Sequence, residues 1–243
     1  MSSGIYSAMS GAVARMNRLD TISDNISNSR TAGFKGGQNV FEGILERTQT
    51  GIETRGINLT EVRQGFTDFS QGALTPTGVG THLAIEGEGF FRVRGMAGED
   101  FYTRQGNFHL NGLGQLVNAD GLNVLDDGGQ PIVLPSPDVE IDERGRVNAG
   151  GGDFRQIAVV AFADQAGLER RGDGLFALNG NAPAPQAVAA PVVHQGKIEE
   201  ANINMMAEMV RMVEANRAFE ACQRMMKTFD DLSSKANEIG LLG

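Results

Sequence analysis

The chain has 243 residues, 40% of them apolar, with 33 glycines and a formal net charge of −9. That length and apolar content support two modest packed domains or one elongated one, and they argue against wholesale disorder. The acidic balance, with no basic run, argues against nucleic acid or an anionic membrane face as a partner, and no apolar stretch is long enough for direct membrane insertion.

The first ten residues, Met1 to Ser10, lack both a basic n-region and a continuous apolar h-region, so no cleavable secretory signal is expected. From Ile5 onward Met9, Ala12, Met16, Leu19 and Ile26 recur at alternating steps of four and three, with Ser23 completing the series. This spacing predicts a helix with a heptad seam reaching about Asn28. Thr31-Ala32-Gly33 then breaks the pattern, and Gly33 suits a left-handed turn behind the helix. Asn25 and Asn28 are placed to bond main-chain groups near that helix end.

Beyond the helix the period changes to two, and turn signals arrive every eight to twelve residues. Candidate strands are Leu59–Val62, Phe90–Arg94, Phe101–Arg104, Phe108–Leu110, Gln115–Val117, Leu122–Leu125, Ile132–Leu134, Val139–Ile141, Ile157–Phe162 and Leu175–Leu178. Asn111-Gly112, Asp120-Gly121, Asp127-Gly128-Gly129, Arg144-Gly145 and Asp173-Gly174 separate them as hairpin or turn formers. The run Ile157–Phe162 is continuously apolar and reads as a strand buried on both faces. Asn179–Pro191, rich in Pro, Ala and Asn, reads as an extended linker.

The C-terminal stretch repeats the four-three stepping through Ala201, Met205, Glu208, Met212, Ala215, Phe219, Cys222, Met226, Phe229, Ser233 and Ala236. A second apolar line flanks it at Met206, Met209, Val210, Val213, Met225, Leu232 and Ile239. A helix from about Glu199 to Glu238 would be roughly 60 Å long, against roughly 35 Å for the N-terminal one. With apolar residues on two faces, the longer helix must find cover outside its own chain. The expected order is helix, β-rich body, linker, long helix, an α+β arrangement divided as 1–33, 34–75, 76–190 and 191–243.

No catalytic, cofactor-binding or metal-binding constellation emerges. His82, His109 and His194 have no metal-ligand spacing, and Cys222 sits within a helical pattern as an inert thiol. Gly87-Glu88-Gly89-Phe90-Phe91 starts like a dinucleotide fingerprint but lacks the third glycine and leads into a strand. Asn118–Gly121 and Asp126–Gly129 lack the closing glutamate of a calcium loop and read as turns. The methionines at 205, 206, 209, 212, 225 and 226 lie at helical spacing, and their flexible thioethers suit packing among inequivalent neighbours.

The run Asp24-Asn25-Ile26-Ser27-Asn28-Ser29-Arg30-Thr31-Ala32-Gly33-Phe34-Lys35, preceded by Ile5–Ala12, resembles the signature of the flagellar rod, hook and hook-associated axial proteins. Gln71–Leu74 with Thr77-Gly78, Leu83–Ile85, Gly89–Phe91, Tyr102–Phe108, Gly114–Val117, Glu208–Val210 and Asn216–Glu220 resemble the same family in order along the chain. The match is greatest to its proximal-rod members.

The resemblance implies terminal helices that pair as a coiled coil in an inner tube, with the mainly antiparallel β-rich middle as an outer domain. It implies a structural, non-enzymatic subunit that polymerises into the drive shaft between membrane ring and hook. Its implied partners are itself, other rod subunits, the membrane-ring and bushing-ring proteins and the flagellar type III export apparatus, in a rod spanning the periplasm. Asn25, Asn28, Thr31, Gly33 and Phe34 become an assembly motif. Ile5, Met9, Met16, Leu19, Met205, Met209, Met212, Phe219, Met226 and Phe229 become an assembly seam. A distal-rod or hook position is the alternative within the family, and a secreted β-rich cell-wall hydrolase is the alternative outside it.

Overall fold

A computed structural model of the chain describes residues 2–46, 57–137, 139–148, 154–172, 174–180 and 182–240, with the side chains of 2–6, 40–46, 57–64, 233 and 236–240 outside that description. Helix α1 spans Ser2–Ser27 and helix α2 spans Met205–Gly240. Between them lie β1 (Gly37–Glu46), β2 (Ile57–Thr67), β3 (Leu74–Pro76), β4 (Leu83–Glu86), β5 (Phe90–Arg94), β6 (Asp100–Thr103), β7 (His109–Leu110), β8 (Leu116–Val117) and β9 (Asn123–Val124). They are followed by β10 (Arg146–Asn148), β11 (Phe154–Gln156), β12 (Val159–Ala161), β13 (Leu168–Arg170), β14 (Leu175–Leu178), β15 (Gln186–Ala187), β16 (Val192–Gln195) and β17 (Lys197–Glu199).

The chain forms two compact units. One holds α1, the antiparallel pair β1–β2 and α2; the other holds Asn28–Lys35 together with Phe69–Asn202. The α+β class expected from the sequence is therefore present, with antiparallel pairing throughout the named strands.

In the helical unit, α1 and α2 lie against each other, and β1 and β2 lie against α1. Ala8, Ala12 and Ile22 are buried on α1, and Ala215 is buried on α2. Small residues at 8 and 12 share one helix face, which allows close approach of a neighbouring element. The α2 start is later than the spacing predicts. Glu199 belongs to strand β17, and Asn204 caps the helix by accepting a hydrogen bond from the Ala207 N–H at 3.1 Å. The helices are about 39 and 54 Å long, from 26 and 36 residues.

In the β-rich unit the main sheet runs β13-β14-β6-β5-β9-β8-β7, with β12 also paired to β5 and to β15. Alternation along each strand builds a core on either face. Phe91 and Val93 of β5, Val159 of β12 and Leu175 of β14 join one cluster; Phe90, Val160 and Phe176 join the other. The run Ile157–Phe162 is indeed buried on both faces: Ile157 and Val159 enter the first cluster, Val160 and Phe162 the second. Ile132–Leu134 and Val139–Ile141 are not strands; Val133 and Ile141 make only isolated bridges, to Gln115 and Val147. The supposed linker contains β15, and the residues after it pair with the start of the body, β16 with β4 and β17 with β3.

The turn clusters are closed by their own side chains. Asn118 Oδ1 accepts from the Asp120 and Leu122 N–H groups, and Asp126 Oδ1 accepts from the Gln130 N–H. These are local loops around Asn and Asp oxygens, as turn chemistry favours.

Candidate assembly surfaces

The helical unit carries apolar residues that its own chain leaves uncovered. On α2 Met206 is 72% exposed, Val210 58% and Val213 51%, and Met209, Met225 and Leu232 are exposed as well. On α1 Met9, Val13 and Met16 are exposed, each close to half. The other line of α2 is turned away from solvent: Met205, Met212, Phe219, Met226 and Phe229 are half-buried, and Ala215 and Glu208 are buried on the same line. Leu19 of α1 is half-buried, while the Ile5 side chain lies outside the described residues. The expected seam thus divides between an inward line and an outward one, and its most exposed member on α2, Met209, belongs to the flanking line.

Asn25, at the C-terminal end of α1, is buried, and its amide pairs with the main chain of Gly37 at the start of β1. Nδ2 donates to Gly37 O, and Gly37 N–H donates to Oδ1, both at 2.9 Å. Two residues later the β1–β2 register shifts, and Asn39 Nδ2 donates to Asn17 O at 3.0 Å and to Thr21 Oγ1 at 2.8 Å. A bulge re-aims a side chain in this way. Two amides therefore staple β1 along α1.

Asn28, Thr31, Gly33 and Phe34 lie in the β-rich unit. The Thr31 N–H donates to Asn28 O at 3.0 Å, closing a turn after the helix. Gly33 has φ +67°, and a Cβ on it would lie 2.3 Å from Arg104 C and Gln105 N, so only glycine fits. Its N–H donates to Glu199 O at 2.7 Å. Phe34 is buried beneath the Arg170 guanidinium, which lies 4.7 Å from the ring centroid and donates to Lys35 O.

Lys35, Arg104 and Glu199 form a buried cluster absent from the sequence-based expectations. Lys35 Nζ meets Glu199 Oε1 and donates to Ser70 O at 2.7 Å. Arg104 Nη1 lies 3.2 Å from Glu199 Oε2, and the Gly72 N–H donates to Glu199 Oε1 at 2.9 Å. Burial pushes the Arg104 guanidinium below its ordinary pKa, and Glu199 opposes the shift.

Three family models match the chain: a flagella basal body rod protein model over residues 5–35, a flagellar hook protein FlgE/F/G D1 domain model over 84–149 and a flagellar basal body rod FlgEFG protein C-terminal model over 194–239. The chain is 32% identical to the flagellar basal-body rod protein FlgF of Caulobacter vibrioides, covering 98% of both chains. The chain belongs to the flagellar basal-body rod protein family. It is also 31% identical to FlgF of Rhizobium meliloti, over 98% of each chain, and 30% identical to FlgG of Bacillus subtilis, over 94% of this chain and 95% of that one.

Each of the three matched segments of this rod-family chain contributes one member of the buried cluster: Lys35 to the first, Arg104 to the second, Glu199 to the third. No sequence signal joins them, because Lys35 and Glu199 are 164 positions apart. Two of the histidines meet polar side chains. His82 Nδ1 lies 2.9 Å from Thr77 Oγ1, His194 Nε2 lies 2.6 Å from Glu86 Oε2 on the facing strand, and His109 is exposed on β7.

Proposed function

We propose that the chain is an axial subunit of the proximal rod in the flagellar basal body, acting by polymerisation and without catalysis. The observation that carries this reading is the row of exposed apolar side chains at Met206, Val210 and Val213 on α2, joined by Met9, Val13 and Met16 on α1. Exposed apolar side chains in rows on helices mark an interaction face. In this reading α1 and α2 pair as the inner coiled coil, the β-rich unit forms an outer domain, and a head-to-tail contact that does not close builds the helical tube.

The partners are further copies and other rod subunits, with the membrane-ring and bushing-ring proteins outside them. Delivery is by the flagellar type III export apparatus. Asn25, Asn28, Thr31, Gly33 and Phe34 shape the turn that sets up the helix for assembly, and the seam residues supply the contacts. The proximal position is the reading that the sequence resemblance suggests, with relatives named FlgF at 32 and 31% identity and relatives named FlgG at 31 and 30%.

The test is incorporation into basal bodies. A strain lacking the gene, complemented with Val210→Asp, should export the protein yet fail to build rods, whereas the unaltered gene restores them. Normal incorporation of Val210→Asp would remove this face from the interface. Labelled subunits located in purified basal bodies then separate proximal from distal rod.

A further inference from the structure

We infer that Glu199 is a positioning residue for the segment Asn28–Lys35, fixing it on the β-rich unit through both its main chain and its carboxylate. Its main-chain oxygen takes the Gly33 N–H at 2.7 Å. Its side chain is fully buried and meets Lys35 Nζ, Arg104 Nη1 and the Gly72 N–H. The neighbouring Asn202 N–H donates to Phe34 O at 3.3 Å. Residues 33–35 are therefore zipped to 199–202, and the carboxylate ties that zipper to Arg104 of the body.

The chemistry of the cluster gives this arrangement a directional character. The buried carboxylate balances the charge of the two cations around it, and removing it strands those cations in a poorly solvated site. Segment Asn28–Lys35 is held on the body by the glycine fitted against Arg104–Gln105, the main-chain bonds of Gly33 and Phe34, the Phe34 ring under Arg170, the Arg170 bond to Lys35 O and the Lys35 ammonium. Of these, only the ammonium contact depends on the Glu199 carboxylate. Losing that carboxylate should release the segment locally and leave the sheet intact, since local opening draws on the least anchored element.

The measurement is amide hydrogen exchange on the purified full-length chain, so it does not depend on whether rods form. Glu199→Gln should speed exchange of the Gly33 and Asn202 amides by about tenfold or more, while the β5 amides of Phe91 and Val93 change less than about twofold. Adding Lys35→Met should recover a large part of the lost protection, because the stranded ammonium is then gone. An ordinary packing residue would show no such rescue. Unchanged exchange at Gly33, equal acceleration in β5, or additive losses in the double variant would each overturn the assignment. If Glu199→Gln does not fold, Lys35→Met alone decides. Selective exchange at residues 33–35 supports the role, and uniform or absent change refutes it.

Discussion

The side-chain amide of Asn25 and the main chain of Gly37 exchange two hydrogen bonds of 2.9 Å, so the last turns of α1 treat the start of β1 as a paired strand. Asparagine is suited to this because its amide carries a donor and an acceptor in the geometry of a peptide group. Asn25→Ala leaves both Gly37 groups without this partner in a site where Asn25 itself is 4% exposed. The expected loss is about 1–3 kcal/mol in equilibrium denaturation of the purified chain. Asn25→Asp should also destabilise, since it keeps the acceptor and loses the donor. A loss below about 0.5 kcal/mol for the alanine variant would show that the pair contributes little.

Gly33→Ala should be among the most disruptive single-atom additions in the chain. A left-handed residue other than glycine costs about 1–2 kcal/mol, and overpacking adds about 1–3 kcal/mol. The Cβ would overlap the Arg104–Gln105 main chain, which has no flexible end to move aside. Because Gly33 belongs to the β-rich unit, the loss should appear in the melting of that unit. A melting curve matching the unaltered chain would contradict the fit described for this position.

Acid should weaken the fold in two windows. Burial lowers the His82 imidazole below its ordinary 6.5. The unfolded chain then binds that proton more readily, so this contribution is full above about pH 6.5 and is lost as pH falls from there. At Asp100 burial pushes the carboxyl up, but the hydrogen bonds and charges of Arg94 and Arg92 outweigh it and hold the group below its ordinary 3.8. Its contribution is complete above that value and is lost as pH falls through the lowered one. Urea midpoints across pH 3–7 should drop in both windows, with His82→Gln flattening the upper and Asp100→Asn the lower. Rising stability on acidification through pH 6.5 would reverse the His82 assignment.

The two lines of α2 should separate stability from assembly. Phe219 and Met212 are half-buried within the helical unit, so Phe219→Asp should cost about 2 kcal/mol or more in the isolated chain. Val213, half exposed on the outer line, should tolerate Asp within about 0.5 kcal/mol. Circular dichroism melts of the two variants make the comparison. Equal destabilisation would mean that both lines are covered within the chain.

The helices and the strands Phe90–Arg94 and Leu175–Leu178 were legible because their periodicity or alternation is strong and local. The second apolar line on α2 was legible too, since a helix with apolar residues on two faces cannot bury both within a pair of helices. What stayed hidden depends on distant partners. Strands β16 and β17 look like a lead-in to the helix until β4 and β3 are placed beside them. The burial of Lys35 with Glu199 is not legible, because burial of an ion pair is a property of the fold and not of either residue's neighbours in sequence. The turn clusters near 118 and 126 are legible as turns, for their Asn and Asp oxygens accept from amides two to four residues on.

The connectivity of the two units bears on how the protein can be dissected. The chain passes from one unit to the other after Ser27, after Lys35, after Asp68 and after Asn202. Trimming both ends to leave Phe69–Asn202 would discard Gly33, Phe34 and Lys35, leaving Arg170 without the ring beneath it and Glu199 without its ammonium. A self-sufficient β-rich fragment therefore has to be rewired, with the eight residues Asn28–Lys35 grafted on as a tethered peptide. Crystallographers and engineers seeking the β-rich body alone should begin from that graft and not from a truncation.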